Sequence, residues 1–217
     1  MTERYTISIH PQGSEGWRQD RLGRVTGSNC AAIFANGRGG KESVQRIGLR
    51  RTLLAERLTG QADEFTGNDS TEWGKEQEAH SRMAYELRTG LDIREMGFLS
   101  MNGVMAGCSL DGLIEEDGRI GVWESKSPKS KTHLEYLLAG VLPDDYLRQV
   151  THNVWVTGAD FADFQSYDPR MPAGLGLFIV RVWRKDLDIE GHERGVLQFL
   201  AELDAEEKRV RALASQD

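Results

Sequence analysis

Cysteine is nearly missing from this 217-residue chain, with Cys30 and Cys108 the only two. Two thiols cannot build a disulfide framework, a four-cysteine zinc site or a four-cysteine iron-sulfur cluster, so both are expected to be reduced and packed. Long apolar runs are missing as well. No stretch approaches the roughly 20 residues of a membrane span, and the opening Met1-Thr2-Glu3-Arg4-Tyr5 lacks the apolar segment of a signal peptide, which points to a cytoplasmic protein. A basic excess is also lacking. The formal net charge of −7 argues against nonspecific coating of nucleic acid, although an acidic exterior can surround a basic channel that focuses field on DNA. There is no internal repeat, low-complexity tract or evident linker. With 39% hydrophobic and 28% charged residues, the chain reads as one globular domain, 1–217, long enough to bury a core.

Element signals are plentiful. A first helix is expected from Ser14 to Leu22, a turn at Thr26-Gly27-Ser28 whose serine caps a short helix through Phe34, and a glycine-rich loop at Asn36–Gly40 carrying Arg38. Ser43 opens a longer helix with Val44, Ile47, Leu54 and Leu58 as its apolar positions, ending at Gly60; another runs from Ser70 to Thr89 and stops at Gly90. On that helix Trp73, His80, Ala84 and Leu87 share a stripe, making His80 a core-edge histidine and Glu78 a solvent-facing acid. Residues 130–138 and 143–156 read as two helices, 162–167 and 177–183 as strands with the second continuously apolar and therefore buried, and 189–213 as a closing charged helix. The order gives an α/β fold, a single domain with a central mixed β-sheet flanked by helices.

In the middle of the chain, Val104–Cys108 leads into Asp111-Gly112-Leu113-Ile114, and Glu116-Asp117-Gly118 turns it into Ile120–Glu124, a strand pair with an Asp-Gly hairpin. Alternation puts Glu124 and Lys126 on one face and Ser125 on the other. If pairing brings Asp111 beside Glu124, two carboxylates about 5 Å apart repel by about 3 kcal/mol at an effective dielectric of about 20, and the pair calls for a cation. Hard oxygen donors suit magnesium or manganese, with Lys126 placed to orient or deprotonate an attacking water. Spacing alone favours the plainer alternative of a surface hairpin with solvated charges. Arg18, Arg21 and Arg24 could line a channel for DNA; composition alone makes them a solvated helix face.

Seven blocks change that balance. Gly16-Trp17-Arg18-Gln19-Asp20-Arg21-Leu22-Gly23, Thr26-Gly27-Ser28, Trp73-Gly74-Lys75-Glu76-Gln77-Glu78, Ser109-Leu110-Asp111-Gly112-Leu113, Glu124-Ser125-Lys126-Ser127-Pro128, Gln149 with Trp155-Val156-Thr157, and Tyr167-Asp168-Pro169-Arg170-Met171 recur in this order in one family. From about residue 16 to 185 the chain resembles the lambda-exonuclease and YqaJ viral recombinase family, within the restriction-endonuclease-like (PD-(D/E)XK) nuclease superfamily. The resemblance implies a magnesium-dependent, processive 5′-to-3′ exonuclease on duplex DNA that releases mononucleotides and leaves 3′ overhangs for recombination. It implies Asp111, Glu124 and the Ser125 carbonyl as ligands of one metal, Glu78 as an acid serving a second, and Lys126 as the catalytic lysine. It further implies Arg21, Ser28, Ser109 and Gln149 as holders of the 5′-terminal phosphate, with Arg38 on the DNA backbone. The implied assembly is a homotrimeric ring threaded by DNA, and the implied partner is a phage single-strand annealing protein. Leu110 replaces a proline of the family motif, Ser125 and Ser127 replace leucine and cysteine, and Thr71 stands where the family has an apolar residue implicated in strand separation. None of these removes a ligand. A catalytically inactive DNA-end scaffold and an endonuclease of the same superfamily remain as alternatives.

Overall fold

The chain switches sheets in the three residues Ser109-Leu110-Asp111, and that switch builds the site. The computed structural model describes residues 4–62 and 69–214, with the backbone alone for 69–72 and 75, so the side chain of Thr71 lies outside the described residues. Four short strands, β1 (Tyr5–Ile7), β2 (Val25–Thr26), β3 (Leu99–Met101) and β4 (Ala106–Cys108), form one sheet in the order β1-β3-β4-β2. Four longer ones, β5 (Gly112–Glu116), β6 (Arg119–Lys126), β7 (Phe161–Tyr167) and β8 (Leu177–Trp183), form a second in the order β5-β6-β7-β8. The expected central sheet is this second one. It is mixed, with β6 and β7 parallel and the outer pairs antiparallel.

Sequence and geometry agree at the hairpin. Asp117 and Gly118 carry φ of 51° and 74°, the two left-handed positions of a type I′ turn that matches strand twist. The register pairs Gly112 with Trp123, so Asp111 arrives one step further on, level with Glu124. Gly112 is needed there, because a Cβ would stand 2.2 Å from Ile93 Cγ2. What looked like one strand from Val104 onward is two, in different sheets. Leu110 is buried between them, leaving Ser109 and Asp111 on either side of it.

The crossover from β6 to its parallel partner β7 runs through α4 (Ser130–Ala139) and α5 (Asp144–Thr157), as a parallel pair requires. Helices α1 (Glu15–Arg21), α2 (Val44–Thr59), α3 (Asp69–Thr89) and α6 (Ile189–Leu213) complete the frame. Trp123, Trp155, Phe161, Phe164, Phe199 and Leu203 are fully buried in the interior.

Several expected faces are turned. The buried strand of the last pair is β7, whereas β8 lies at the sheet edge and only Phe178 is buried on it. On α2 the buried residues are Arg50, Leu53 and Leu54, while Val44 is 86% exposed. The helix is set by ion pairs with α6, Arg46 to Glu202, Arg50 to Glu206 and Arg57 to Asp204, so charge rather than apolar periodicity chose its face. On α3 His80 is exposed and Leu87 is 82% exposed; among the described side chains Ser81 and Tyr85 are the buried pair. The Tyr85 hydroxyl donates to Asp163 Oδ2 at 2.6 Å, and Arg181 also binds Asp163. Ser28 caps nothing: the Cys30–Phe34 3-10 turn has no side-chain cap.

Cys30, His152 and His192 are fully buried with potential ligand atoms within 4.8 Å of one another; hydrogen bonds tie them to the fold and to each other, leaving His192 Nδ1 without a partner. His152 Nε2–H donates to the Gly107 carbonyl at 3.1 Å, which leaves Nδ1 bare to accept from His192 Nε2–H at 3.0 Å. The Cys30 thiol donates to the Gly27 carbonyl at 3.3 Å. Burial pushes His152 down to about 4 and His192 to about 3. Unfolded histidines take up protons near pH 6.5 while these stay neutral, so the unfolded state binds more protons below that point. Stability is therefore whole above about pH 6.5 and falls as pH drops toward 4, by about 1.4 kcal/mol per unit for each histidine. Urea midpoints measured from pH 7 to 4.5 should fall, with a shallower fall in His192→Gln; an identical slope in the variant contradicts this.

Candidate active site

The two acids, the lysine and their holders come from four elements. Asp111 Oδ2 accepts the Ser125 backbone N–H at 2.8 Å, tying the start of β5 to the end of β6. Lys126 Nζ stands 3.8 Å from that same oxygen and donates to Glu124 Oε1, so Asp111, Glu124 and Lys126 converge. Alternation on β6 is as expected, because Ser125 points to the other face, where its hydroxyl bonds Ser81 Oγ at 3.1 Å. The Tyr146 ring lies 5.5 Å from Lys126 Nζ.

Glu124 is only 1% exposed, at the buried heart of a β6 strand sandwiched by neighbours. Gln149 Nε2 donates to its Oε1 and Asn153 Nδ2 to its Oε2 at 2.9 Å. Burial pushes this carboxyl up, Lys126 opposes the rise and the negative charge of Asp111 adds to it. For Lys126 burial works toward discharge, but Glu124 and Asp111 outweigh it and hold the ammonium charged.

Glu78 stands on α3, near enough for the charges of Asp111 and Lys126 to act on it. It shares a helical stripe with Ser81 and Tyr85, the residues that touch the sheet, and its carboxyl is raised by partial loss of water and by the charge of Asp111. Its side chain is nonetheless exposed, as expected of a solvent-facing acid; what α3 turns inward is Ser81 and Tyr85 rather than its apolar stripe. Two carboxylates then converge on one ammonium, with the exposed Glu78 within reach of their charge. That oxygen-rich, net negative set fits a hard divalent cation, and Asp111, Glu124 and Glu78 are the side chains that would hold it.

Beside it lies a cationic group. Arg21 Nη1 donates to Ser109 Oγ at 2.9 Å and Nη2 to Ser28 Oγ at 3.3 Å, while its guanidinium stacks 4.3 Å from the Trp17 ring. Trp17 Nε1 also donates to Ser109 Oγ at 3.0 Å. Burial lowers the Arg21 pKa, and among the described residues no carboxylate forms an ion pair with it, which is the setting for an incoming anion. Arg18 is exposed beside Glu15, and Arg24 reaches the Val104 carbonyl at 3.4 Å, so the three arginines do not line one surface. Arg38 stands on the exposed loop, joined to neither cluster by a hydrogen bond or ion pair among the described residues. Gln149 is brought to Glu124 rather than to Arg21, Ser28 and Ser109, though its Cγ lies beside Gly27.

Sequence reasoning missed Asn153, Ser81 and Gln165. Gln165 Nε2 donates to the Ser81 carbonyl at 2.7 Å and accepts from Trp123 Nε1, fastening α3 to the sheet behind the cluster. A signal for Asn153 was present: Gln149 and Asn153 are one helical turn apart, two amides on one face.

An acid-lysine cluster at a hairpin mouth, on a mixed sheet crossed by helices, is the restriction-endonuclease-like nuclease arrangement. A family model, the YqaJ-like viral recombinase domain, matches residues 16–160, and the chain belongs to that family. It is similar to the alkaline exonuclease LHK-Exo of Laribacter hongkongensis, with 32% identity, a TM-score of 0.83, and coverage of 94% of this chain and 99% of that one. The complex of LHK-Exo with dAMP matches equally. A phage related exonuclease from Haemophilus somnus 129PT shares the fold at 14% identity and a TM-score of 0.61, covering 88% of this chain and 96% of that one. No curated protein sequence matches. The chain is thus a nuclease of the lambda-exonuclease type. Among the described residues no helix is long and apolar enough to cross a membrane.

Proposed function

We propose that the protein is a magnesium-dependent exonuclease that degrades the 5′-ended strand of duplex DNA from a phosphorylated end, releasing 5′-mononucleotides and leaving a 3′ overhang. The observation that carries this is adjacency: Ser109, which binds Arg21, and Asp111, which faces Lys126 and Glu124, are separated only by buried Leu110. An anion anchor beside a cleavage cluster gives one end of one strand a fixed distance to the scissile bond.

In this reading Arg21 grips the terminal phosphate through its planar donors, Ser28 and Ser109 turn their hydroxyls from the guanidinium to the phosphate oxygens, and Gln149 stands between anchor and cluster. Arg38 meets the DNA backbone. Asp111, Glu124 and the Ser125 carbonyl hold one metal and Glu78 serves a second. Magnesium there, or manganese in its place, neutralises the phosphodiester and acidifies water. Lys126 holds its proton toward the reacting oxygens, where a cation opposes the charge that develops. A homotrimeric ring around the duplex supplies processivity, and an acidic exterior with a basic bore reconciles the net charge of −7 with DNA. A phage single-strand annealing protein takes up the exposed 3′ strand.

Digestion of 5′-phosphorylated linear, 5′-hydroxyl linear and closed circular duplexes tests the reading. Mononucleotides should appear with magnesium, fastest from phosphorylated ends and not at all from closed circles. Cleavage of circles would make the protein an endonuclease; end binding without cleavage would make it a scaffold for the annealing protein.

A further inference from the structure

Asn153 is fully buried, and nothing in the chemistry above uses it. Its amide is bonded at one end only. Nδ2–H donates to Glu124 Oε2 at 2.9 Å, whereas Oδ1 has no hydrogen-bond partner and lies over Gly27, where a Cβ would stand 2.5 Å from it. Turning the amide over would set its oxygen against a carboxylate oxygen and lose a charge-assisted bond. One helical turn earlier, Gln149 donates to the other oxygen of Glu124, and its Cγ stands 3.4 Å from the same Gly27 Cβ position. The Thr26-Gly27-Ser28 turn, whose Ser28 accepts from Arg21, therefore rests on the two amides that hold Glu124. A glycine at 27 lets it come so close.

We propose that Asn153 is a positioning residue, wedged between the anchor turn and Glu124, which fixes the rotation of that carboxylate so that Oε1 faces Asp111 and Lys126, with Gly27 as its backstop. The inference rests on Glu124 being a metal ligand. Freed from Asn153, the carboxylate turns about its terminal bond and presents its oxygens in a spread of directions, so the metal is held more weakly. The phosphate anchor of Arg21, Ser28 and Ser109 keeps its own hydrogen bonds and is unaffected.

The test is Mn2+ binding to the DNA-free protein by calorimetry, for wild type, Asn153→Ala, Gly27→Ala and the double variant. Asn153→Ala should weaken Mn2+ by roughly tenfold, the usual cost of removing a partner of a metal ligand. Affinity for a 5′-phosphorylated duplex without divalent metal should change by less than about twofold, since the anchor is untouched. Gly27→Ala should weaken Mn2+ as well in the wild-type background and add almost nothing in the Asn153→Ala background, because the oxygen it collides with is gone. Additive effects, or unchanged Mn2+ binding with only a lower melting temperature, overturn the proposal. Should Asn153→Ala fail to fold, Asn153→Ser and Gly27→Ala carry the same comparison, and Mn2+ binding unchanged from wild type in both overturns it. If wild type binds Mn2+ but does not degrade DNA, the exonuclease reading fails alone; if wild type binds no Mn2+, Glu124 is no ligand and the proposal fails with it.

Discussion

Glu124→Gln should lower magnesium-dependent nucleotide release by roughly a thousandfold, since a metal-held charge contributes several kcal/mol and each 1.4 kcal/mol is tenfold in rate. The substitution keeps the shape of the side chain and removes its charge. Lys126, Gln149 and Asn153 all donate to Glu124, so a glutamine amide nitrogen must face one of these donors, and the variant should melt somewhat lower than wild type while staying folded. Duplex-end binding without divalent metal should persist, since Arg21 and its hydroxyl partners are intact. Lys126→Met should lose cleavage likewise and should also melt lower, because it leaves buried Glu124 beside Asp111 without its ammonium. Parallel loss of cleavage and folding would instead make this cluster an element of the core. Rates under saturating DNA, with thermal unfolding on the same preparations, separate the two.

Arg21→Ala should erase the preference for phosphorylated ends. A guanidinium on a terminal phosphate supplies charge-assisted bonds of about 1.5–3 kcal/mol, so digestion of the phosphorylated duplex should slow by roughly 10- to 100-fold. Digestion from a 5′-hydroxyl end, which has no such phosphate to lose, should hardly change. Arg21→Lys should not restore the preference, because one ammonium cannot reach Ser28 and Ser109 together while stacked on Trp17. Equal losses on both ends would mean that Arg21 supports the fold of α1 rather than the phosphate. Initial rates on the two substrates are the measurement.

Much of this was legible where the signal is local. The Asp117-Gly118 turn, the alternation of Glu124, Ser125 and Lys126, and the closing helix at 189–213 depend on neighbours in the chain, and the structure has them. Periodicity read Glu78 as exposed, as it is, whereas the inward face of α3 was illegible because it meets a polar layer of Ser81, Ser125 and Gln165, which inverts the usual link between apolar stripe and core. The inward face of α2 depends on acids of α6 about 150 residues away, which no local pattern encodes. The division into two sheets turns on Leu110: a run from Val104 to Ile114 scans as one strand, and only packing shows that it crosses from one sheet to the other. Within the site, the acids and the lysine were readable as types at a spacing, whereas the grip of Gln149 and Asn153 on Glu124 became visible only in three dimensions.

The central claim is that chemistry begins at a phosphorylated 5′ end held by Arg21 and proceeds at the Asp111, Glu124 and Lys126 cluster. A duplex carrying a distinguishable label on the phosphate of each 5′ end and another on each 3′-terminal nucleotide tests it in one time course. With magnesium, the 5′ label should appear first and as mononucleotide, the 3′ label should stay in long single strands, and chelation should stop both. Early release of the 3′ label, release of the 5′ label in oligonucleotides, or release that survives chelation would contradict the account.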